Sequence, residues 1–373
     1  MIINNNTLGI IFANVHDDLI PELTQKRSMA SVPIGARYRL IDFPLSNLVN
    51  TGISKVGIIT KENYHSLMDH LGSGKAWDLD RKNGGIFILP PFSSANFGFY
   101  RGHVDALAGV MTFLTRSTEK YVVMCDADVV GNIDIAAIIA QHKGKNADVT
   151  VAYKKGKLSS NSDDVMILDL DKNGKVIGAT TGEVPKNEVN FSLDVFVIER
   201  EVLINWITDA TKKRETSLTR DVFMPKISEI EMYGYEVTGY AEVMDSAEKY
   251  VKINRDLLRA EVREDLFNKE RPLYTKTGDD MPTRYTVGSR AINSLIADGC
   301  VIEGTVKNSV LFRGVTVKKG AVVENCIIMQ NTVVGENCHL NHVTIDKSAT
   351  ISDGVVLNGT ENKNIFIEKD KEV

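Results

Sequence analysis

Long apolar runs are absent from this sequence. No stretch approaches the ~20 residues that a membrane-spanning helix requires, so no membrane partner is expected. The opening residues, MIINNNTLGIIFAN, carry no basic segment ahead of an apolar one, and a secretory leader is not expected there. Cysteine is scarce. Cys125, Cys300, Cys326 and Cys338 make no C-x-x-C pair, and each sits in an apolar or strand-like context. The expectation is buried free thiols in a reducing cytoplasm rather than disulfides or a thiolate metal site. An excess of one charge sign is missing too. The 44 basic side chains face 49 acidic ones, and the net charge of -5 favours solubility and gives no footprint for nucleic acid. What is present is an ordinary globular composition, 43% hydrophobic and 25% charged, in 373 residues, enough for two domains with separate cores.

Two periodicities divide the chain. Over residues 1–267, short β-branched and aliphatic runs at 8–13, 56–60, 121–125, 149–153, 165–170 and 195–198 read as strands. Helical patterns at 103–114, 133–142 and 247–266 lie among them. Strands alternating with helices predict an α/β domain of Rossmann-like type, with a mostly parallel sheet covered on both faces. Ligands then belong beyond the carboxyl ends of the strands, in the loops after Ala13, after Cys125 and around residues 89–92. Residues 268–285 are polar, contain two prolines and read as a linker.

From residue 286 to 373 the pattern changes. Val306, Leu311, Val317, Val323, Ile328, Val334, Leu340, Ile345 and Ile351 follow one another at steps of five or six, closing every 17 residues. Small residues often precede them by two, as at Val315, Ala321, Thr332, Cys338 and Ala349. Neither a helix nor a simple hairpin has this period. It predicts a left-handed hexapeptide β-helix, each coil burying its aliphatic side chains on the next, with an end docked on the first domain or on another subunit. The charged tail after Gly359 is expected to fray, with residues 364–368 able to add an edge strand.

Residues 32–47, VPIGARYRLIDFPLSN, closely resemble the segment VPFGGKYRIIDFPLSN of the glucose-1-phosphate adenylyltransferase (ADP-glucose pyrophosphorylase) family. WDLDR at 77–81, LPP at 89–91, Tyr100-x-Gly102, Glu183-x-Pro185 and Asn254-x-x-Leu257 follow in the family's order, so the resemblance spans nearly the whole chain. It implies a nucleotidyltransferase domain followed by the β-helix. It also implies a reaction in which glucose 1-phosphate attacks the α-phosphorus of ATP, giving ADP-glucose and pyrophosphate. Such a transfer needs Mg²⁺, Lys or Arg side chains to offset phosphoryl charge, and a glycine-rich loop whose N–H groups approach the triphosphate.

Several of these parts are replaced. Where active relatives carry A-G-G-x-G-x-R-L-x-x-L-T, residues 13–24 read ANVHDDLIPELT, with no glycine and with Leu19 at the arginine position. Asp17 and Asp18 in this stretch are expected to be solvated loop carboxylates. The lysine of A-K-P becomes Met29, and the centre of the Glu-Lys-Pro element becomes Val184. Asp128, at the end of a buried strand in Cys125-Asp126-Ala127-Asp128, is the counterpart of one metal-binding aspartate, and Val243 takes the place of the other. Glu242 and Asp245 flank that position, but strand alternation aims a neighbour at the opposite face. Asp128, Glu183 and Ser192 remain as remnants of substrate and nucleotide binding, with Asp128 a vestigial metal ligand.

Losing a single oriented stabiliser commonly costs about 10²–10³ in rate, so no catalytic residue is assigned and the chain is expected to be incompetent alone. The resemblance is to the non-catalytic homologue that accompanies an active subunit in certain bacterial glycogen pathways. It implies a regulatory partner in a hetero-oligomer, a tetramer, responsive to small-molecule effectors, with Arg37, Arg39 and Arg81 as candidates for an anionic one. Two other readings stay open: a weak adenylyltransferase using Asp128, and a sugar-phosphate or nucleotide sensor. His339 and His342, at metal-like spacing but inside the repeat, are expected to be surface or edge histidines.

Overall fold

The computed structural model describes residues 6–91, 100–158, 165–182 and 187–373. Glu183, Val184 and Pro185 lie outside these residues. The first part is built on a nine-stranded sheet. Its strands are β1 (Thr7–Phe12), β2 (Lys55–Ile59), β3 (Gly85–Leu89), β4 (Tyr121–Asp126), β5 (Val149–Gly156), β6 (Ile167–Leu170), β7 (Val176–Thr180), β8 (Val189–Glu199) and β9 (Met232–Glu236). The path β7-β6-β8-β4-β1-β2-β3 is extended by β5 on β8 and β9 on β5. Strands β3, β2, β1 and β4 run parallel, as do β5 and β9, whereas β8 is antiparallel to both β4 and β5. Every residue of β1 is buried, which is why its sequence is an unbroken apolar run. The helix Asp42–Asn50, opened by Asp42-Phe43-Pro44, packs so closely on β1 that a Cβ at Gly9 would stand 2.8 Å from Leu48 Cδ1.

All six expected strands are present, but β3, β7 and β9 were not expected, because exposed residues alternating with buried ones break their apolar runs. Two expected helices are each divided, into His103–Gly109 with Met111–Arg116 and into Ala247–Asp256 with Ala260–Leu266. The sequence hid the second break because Tyr250, Ile253, Leu257, Val262 and Leu266 all face one core across it. Among the described residues, no helix is long and apolar enough to cross a membrane.

The second part is a left-handed β-helix of three five-stranded parallel sheets. The nine aliphatic residues of the repeat are all buried. Their stacking follows the 17-residue coil, with Val306 on Val323 on Leu340 and Val317 on Val334 on Ile351. Left-handed backbone conformations mark the corners at the same spacing, at Asn308, Asn325 and His342. His342 is therefore a corner residue and His339 an exposed strand residue, as the repeat implied. The tail does not fray. Ile365–Ile367 pairs with Val343–Ile345, and the Val373 N–H donates to Thr350 O at 3.0 Å. All four cysteines are buried and free.

Residues 268–284 are held against the first domain. Asn132 Nδ2 donates to Arg271 O, Asn50 Nδ2 to Pro272 O, and Tyr274 N–H to Ser46 Oγ. One apolar core joins the two parts, with Ile20, Met29, Val32, Ile34 and Phe43 against Val310, Phe312, Ile327 and Met329. Within this junction Arg27 Nη2 donates to both Asp346 oxygens at 2.8 and 2.9 Å, and both residues are buried. The solenoid docks by one side rather than by the expected end: Leu295 and Ala297 of its first coil and Phe366 of its last strand pack on the same core, while Tyr285, Val287 and Ile292 of the first coil stay exposed.

Candidate functional site

Parallel pairing of β1 with β4 aligns Phe12 with Asp126, so the loop after β1 meets the turn after β4 at the carboxyl edge of the sheet. That loop is bound to itself and to the segment after β2. Asn14 Oδ1 accepts Lys61 N–H, and Asn14 Nδ2 donates to Glu62 O and to Asp17 Oδ2 at 2.6 Å. Asp17 Oδ1 accepts the Met29 N–H at 2.6 Å. Burial raises the Asp17 carboxyl above its ordinary value, opposed by these hydrogen bonds. The expectation of a solvated Asp17 therefore fails, because its carboxylate is turned inward to accept from Asn14 Nδ2 and the Met29 N–H. Asp18 is exposed as expected, and so is Leu19. Met29 is buried in the core between the two parts of the chain.

Beside this loop lies a cluster of charged side chains. His16 Nδ1 stands 2.6 Å from Asp128 Oδ2 and 3.7 Å from Asp126 Oδ2. His103 Nε2 is 3.0 Å from both oxygens of Asp126, its ring edge-on to Phe12. Burial pulls the His16 imidazole down, but Asp128 and Asp126 more than reverse this and hold it up at about 10. The same opposition, with Asp126 as the partner, raises His103. Asp194 adds a third carboxylate, pushed up to about 7 by burial and by the charge of Asp126. It occupies the bulge where β8 slips against β5, at φ +50°, a conformation that costs a non-glycine residue about 1–3 kcal/mol. Ser192 holds it there: its hydroxyl accepts the Asp194 N–H at 2.9 Å and donates to Asp194 Oδ1 at 3.0 Å.

The position of the second metal carboxylate is apolar. Val243 is buried and pairs with Val129, while the next residue, Met244, donates its N–H to Asp128 O. Neither neighbour restores the site. Glu242 binds Lys249 and Lys252 at 2.9 and 2.6 Å, and Asp245 is buried beside the Ser246 hydroxyl that donates to it. A cavity of about 10 Å³ touches His16, Asp126, Asp128 and Met29. Mg²⁺ binds through oxygen and keeps several waters, for which this space is too small, and one carboxylate oxygen already faces an imidazole. The residues present do not fit Mg²⁺.

The arginine candidates separate. Arg81 is held within its own turn by Asp78, and Arg37 is exposed over the Tyr38 ring at 5.9 Å. Arg39 donates to Ser66 O and Oγ and faces the domain junction, where its charge meets those of Arg27 and Lys347. Burial, then Arg39 and Arg27, bring the Lys347 ammonium down to about 7. Sequence reasoning missed His16, His103, Asp126, Asp194 and Lys347 as members of these clusters. Two aspartates separated by one residue at a buried strand end were the available signal for Asp126. Nothing local announces the others, which arrive from distant elements.

Comparison with known proteins matches residues 19–240 to the nucleotidyl transferase family and residues 282–369 to the GlmU-like, C-terminal hexapeptide family. The first match begins beyond the start of the loop that departs from the glycine pattern. The glycogen biosynthesis protein GlgD of Bacillus subtilis (strain 168) is 34% identical over 370 residues, which is 98% of this chain and 96% of the relative. GlgD of Geobacillus stearothermophilus is 38% identical over 328 residues, 86% of this chain and 83% of the relative. The glucose-1-phosphate adenylyltransferase of Fervidobacterium nodosum is 32% identical over 358 residues, 94% of this chain and 85% of the relative. With the fold, the retained motifs and these near-full-length matches in agreement, the chain belongs to the glucose-1-phosphate adenylyltransferase family of nucleotidyl transferases.

Proposed function

We propose that this chain is the regulatory, catalytically deficient subunit of an ADP-glucose pyrophosphorylase of glycogen biosynthesis, acting through a homologous catalytic subunit in a hetero-oligomer, a tetramer. The observation that carries this reading is the loop after β1. Asp17 takes the N–H of Met29, and His16 is paired with Asp128. An internal carboxylate and an internal imidazole thus use groups that a triphosphate and its cation would need. Buried Val243 and Met29 supply neither a ligand nor a cation.

The same reading assigns the domain junction to a small anionic effector. Arg39 and Lys347 lie together there beside the Arg27–Asp346 pair, in a setting that an anion would relieve. The exposed Tyr285, Val287 and Ile292 of the first coil offer an apolar edge for the partner subunit. A second reading, nucleotide sensing without turnover, is favoured by a cavity of about 430 Å³ at the sheet edge. Phe12, Val15, Lys61, Tyr100 and Arg101 line it, and the buried Tyr100 hydroxyl has no hydrogen-bond partner among the described residues.

Pyrophosphate release from ATP and glucose 1-phosphate tests the proposal, with this chain alone, the catalytic homologue alone, and the two mixed. No turnover by this chain and a mixture faster than the homologue is the expected result. Turnover by this chain alone, abolished by Asp128→Ala, would overturn it. Nucleotide binding without any effect on the homologue would favour the sensor.

A further inference from the structure

The nine-stranded sheet branches, so that β3, β7 and β9 are all outer strands. An outer strand presents backbone N–H and C=O groups that recruit other strands, and proteins guard such edges. β7 is guarded by a bulge between Val176 and Gly178. β9 is covered by the turn between β6 and β7, where Gly174 O accepts the Gly234 N–H at 2.8 Å and Lys175 bridges to Tyr233. β3 has no such guard. Its sequence, Gly85-Ile86-Phe87-Ile88-Leu89, contains no charge and no proline, and its register against β2 is unbroken. Among the described residues nothing pairs with its outer side. Phe87 is 38% exposed, with Phe113 beside it at 5.2 Å between ring centroids. The geometry points to a second copy of this chain as the occupant of that edge, its own β3 running antiparallel about a two-fold axis at Phe87.

The backbone and the side chains of β3 both select this occupant. Gly85 N–H donates to Ser54 O, and Leu89 O accepts the Thr60 N–H. Alternation along the strand therefore turns the N–H and C=O of Ile86 and Ile88 outward. The strand is also a palindrome about its centre, with isoleucine on each side of Phe87. An axis through Phe87 sets Ile86 opposite Ile88 of the second copy, and each such pair exchanges both N–H···O bonds. The two Phe87 residues then meet as a non-hydrogen-bonded pair, with Cα atoms about 4.5 Å apart and side chains at their closest. Moving the axis to Ile88 would oppose Ile86 with Pro90, which has no N–H to give. On the sheet's other face Ile86 and Ile88 are half-buried against the core, so pairing continues the apolar surface across the axis. A strand of 5 residues is a small interface, and an association on the order of micromolar is expected. The inference does not depend on the regulatory reading. Combined with it, the sheet edge joins like chains and the first coil joins unlike ones, as a closed tetramer of two kinds of chain requires.

The full chain alone is followed by analytical ultracentrifugation from sub-micromolar to high-micromolar concentration, where a monomer–dimer equilibrium is expected. Phe87→Glu sets like charges against each other on the axis and should weaken the dimer by about 100-fold or more. Ile88→Pro removes an outward N–H, leaves the bonds to β2 in place, and should weaken it by about 10-fold or more. Phe87→Cys should give a disulfide-linked dimer in oxidised glutathione, because Cα atoms about 4.5 Å apart suit the bond. The chain's own cysteines are buried, and Ile177→Cys, 64% exposed on the guarded edge, should not cross-link under the same treatment. A monomer at the highest concentration, or a dimer indifferent to Phe87→Glu and Ile88→Pro, would overturn the assignment. So would pairing through this edge with the catalytic homologue alone. If the variants fail to fold, hydrogen exchange of the unaltered chain decides. The Ile86 and Ile88 amides should gain protection as concentration rises, and exchange that ignores concentration sinks the proposal.

Discussion

Two charged regions of this molecule differ in how their charges are balanced. At the edge of the sheet, Asp17 binds the backbone of Met29 and Asn14 that of Lys61 after β2, and His16 and His103 pair with Asp128 and Asp126. At the junction with the β-helix, Arg27 has Asp346 and Arg39 has Asp42 and Asp69 acting on it, yet burial and the charges of Arg39 and Arg27 still hold the Lys347 ammonium down. The first region has turned a ligand site into internal structure. The second crowds like charges around the Lys347 ammonium, a condition in which an external anion gains.

Breaking the compensated pair at the junction should have the largest effect. Asp346→Ala leaves a buried guanidinium without its partner and should cost about 3–5 kcal/mol, read by chemical denaturation. Replacing both members, Arg27→Met with Asp346→Leu, should recover most of that loss. In the loop, Asp17→Ala removes the acceptor of the Met29 N–H and should cost about 1–3 kcal/mol.

Inorganic phosphate as a probe sharpens the contrast at Lys347. Its folded value of about 7 lies below the ordinary 10.5, so the folded state disfavours the charged form. The resulting destabilisation is complete below pH 7 and is relieved as pH rises from about 7 to 10.5. Anion binding follows the opposite course. It should weaken above pH 7, by at most on the order of tenfold per pH unit for one obligatory proton, and Lys347→Gln should abolish that dependence. Asp346, Arg27, Arg39 and Lys369 also face this ammonium, so the profile is measured against Lys347→Gln rather than assigned from the unaltered chain alone. The smallest effect belongs to Asp18→Ala, adjacent to Asp17 but exposed, which should change stability by less than about 0.5 kcal/mol.

The β-helix was legible because its signal is local and repeated: the residues that stack are 17 apart, and each lies at a buried position. The core strands of the sheet were legible as apolar runs, whereas β3, β7 and β9 were hidden by exposed faces. The site was legible only by subtraction. The losses at Leu19, Met29 and Val243 could be read from the family's pattern, but what replaced them could not. His16 and Asp128 are 112 positions apart, and Arg27 and Asp346 are separated by 319. Asp17 and Asp18 show the same limit at single-residue scale, since only the fold decides which of two neighbouring carboxylates turns inward.

The buried Arg27–Asp346 pair also constrains how the gene can change length. A solenoid tolerates loss or gain of a whole coil as far as stacking is concerned, because each coil contacts only its neighbours. Here, removing one interior coil before Asp346 would move its carboxylate along the axis by about 4.8 Å, the spacing of adjacent strands. That displacement carries it out of reach of Arg27, which now holds it at 2.8 Å. The ion pair acts as a ruler, admitting a single number of coils between the linker and the junction.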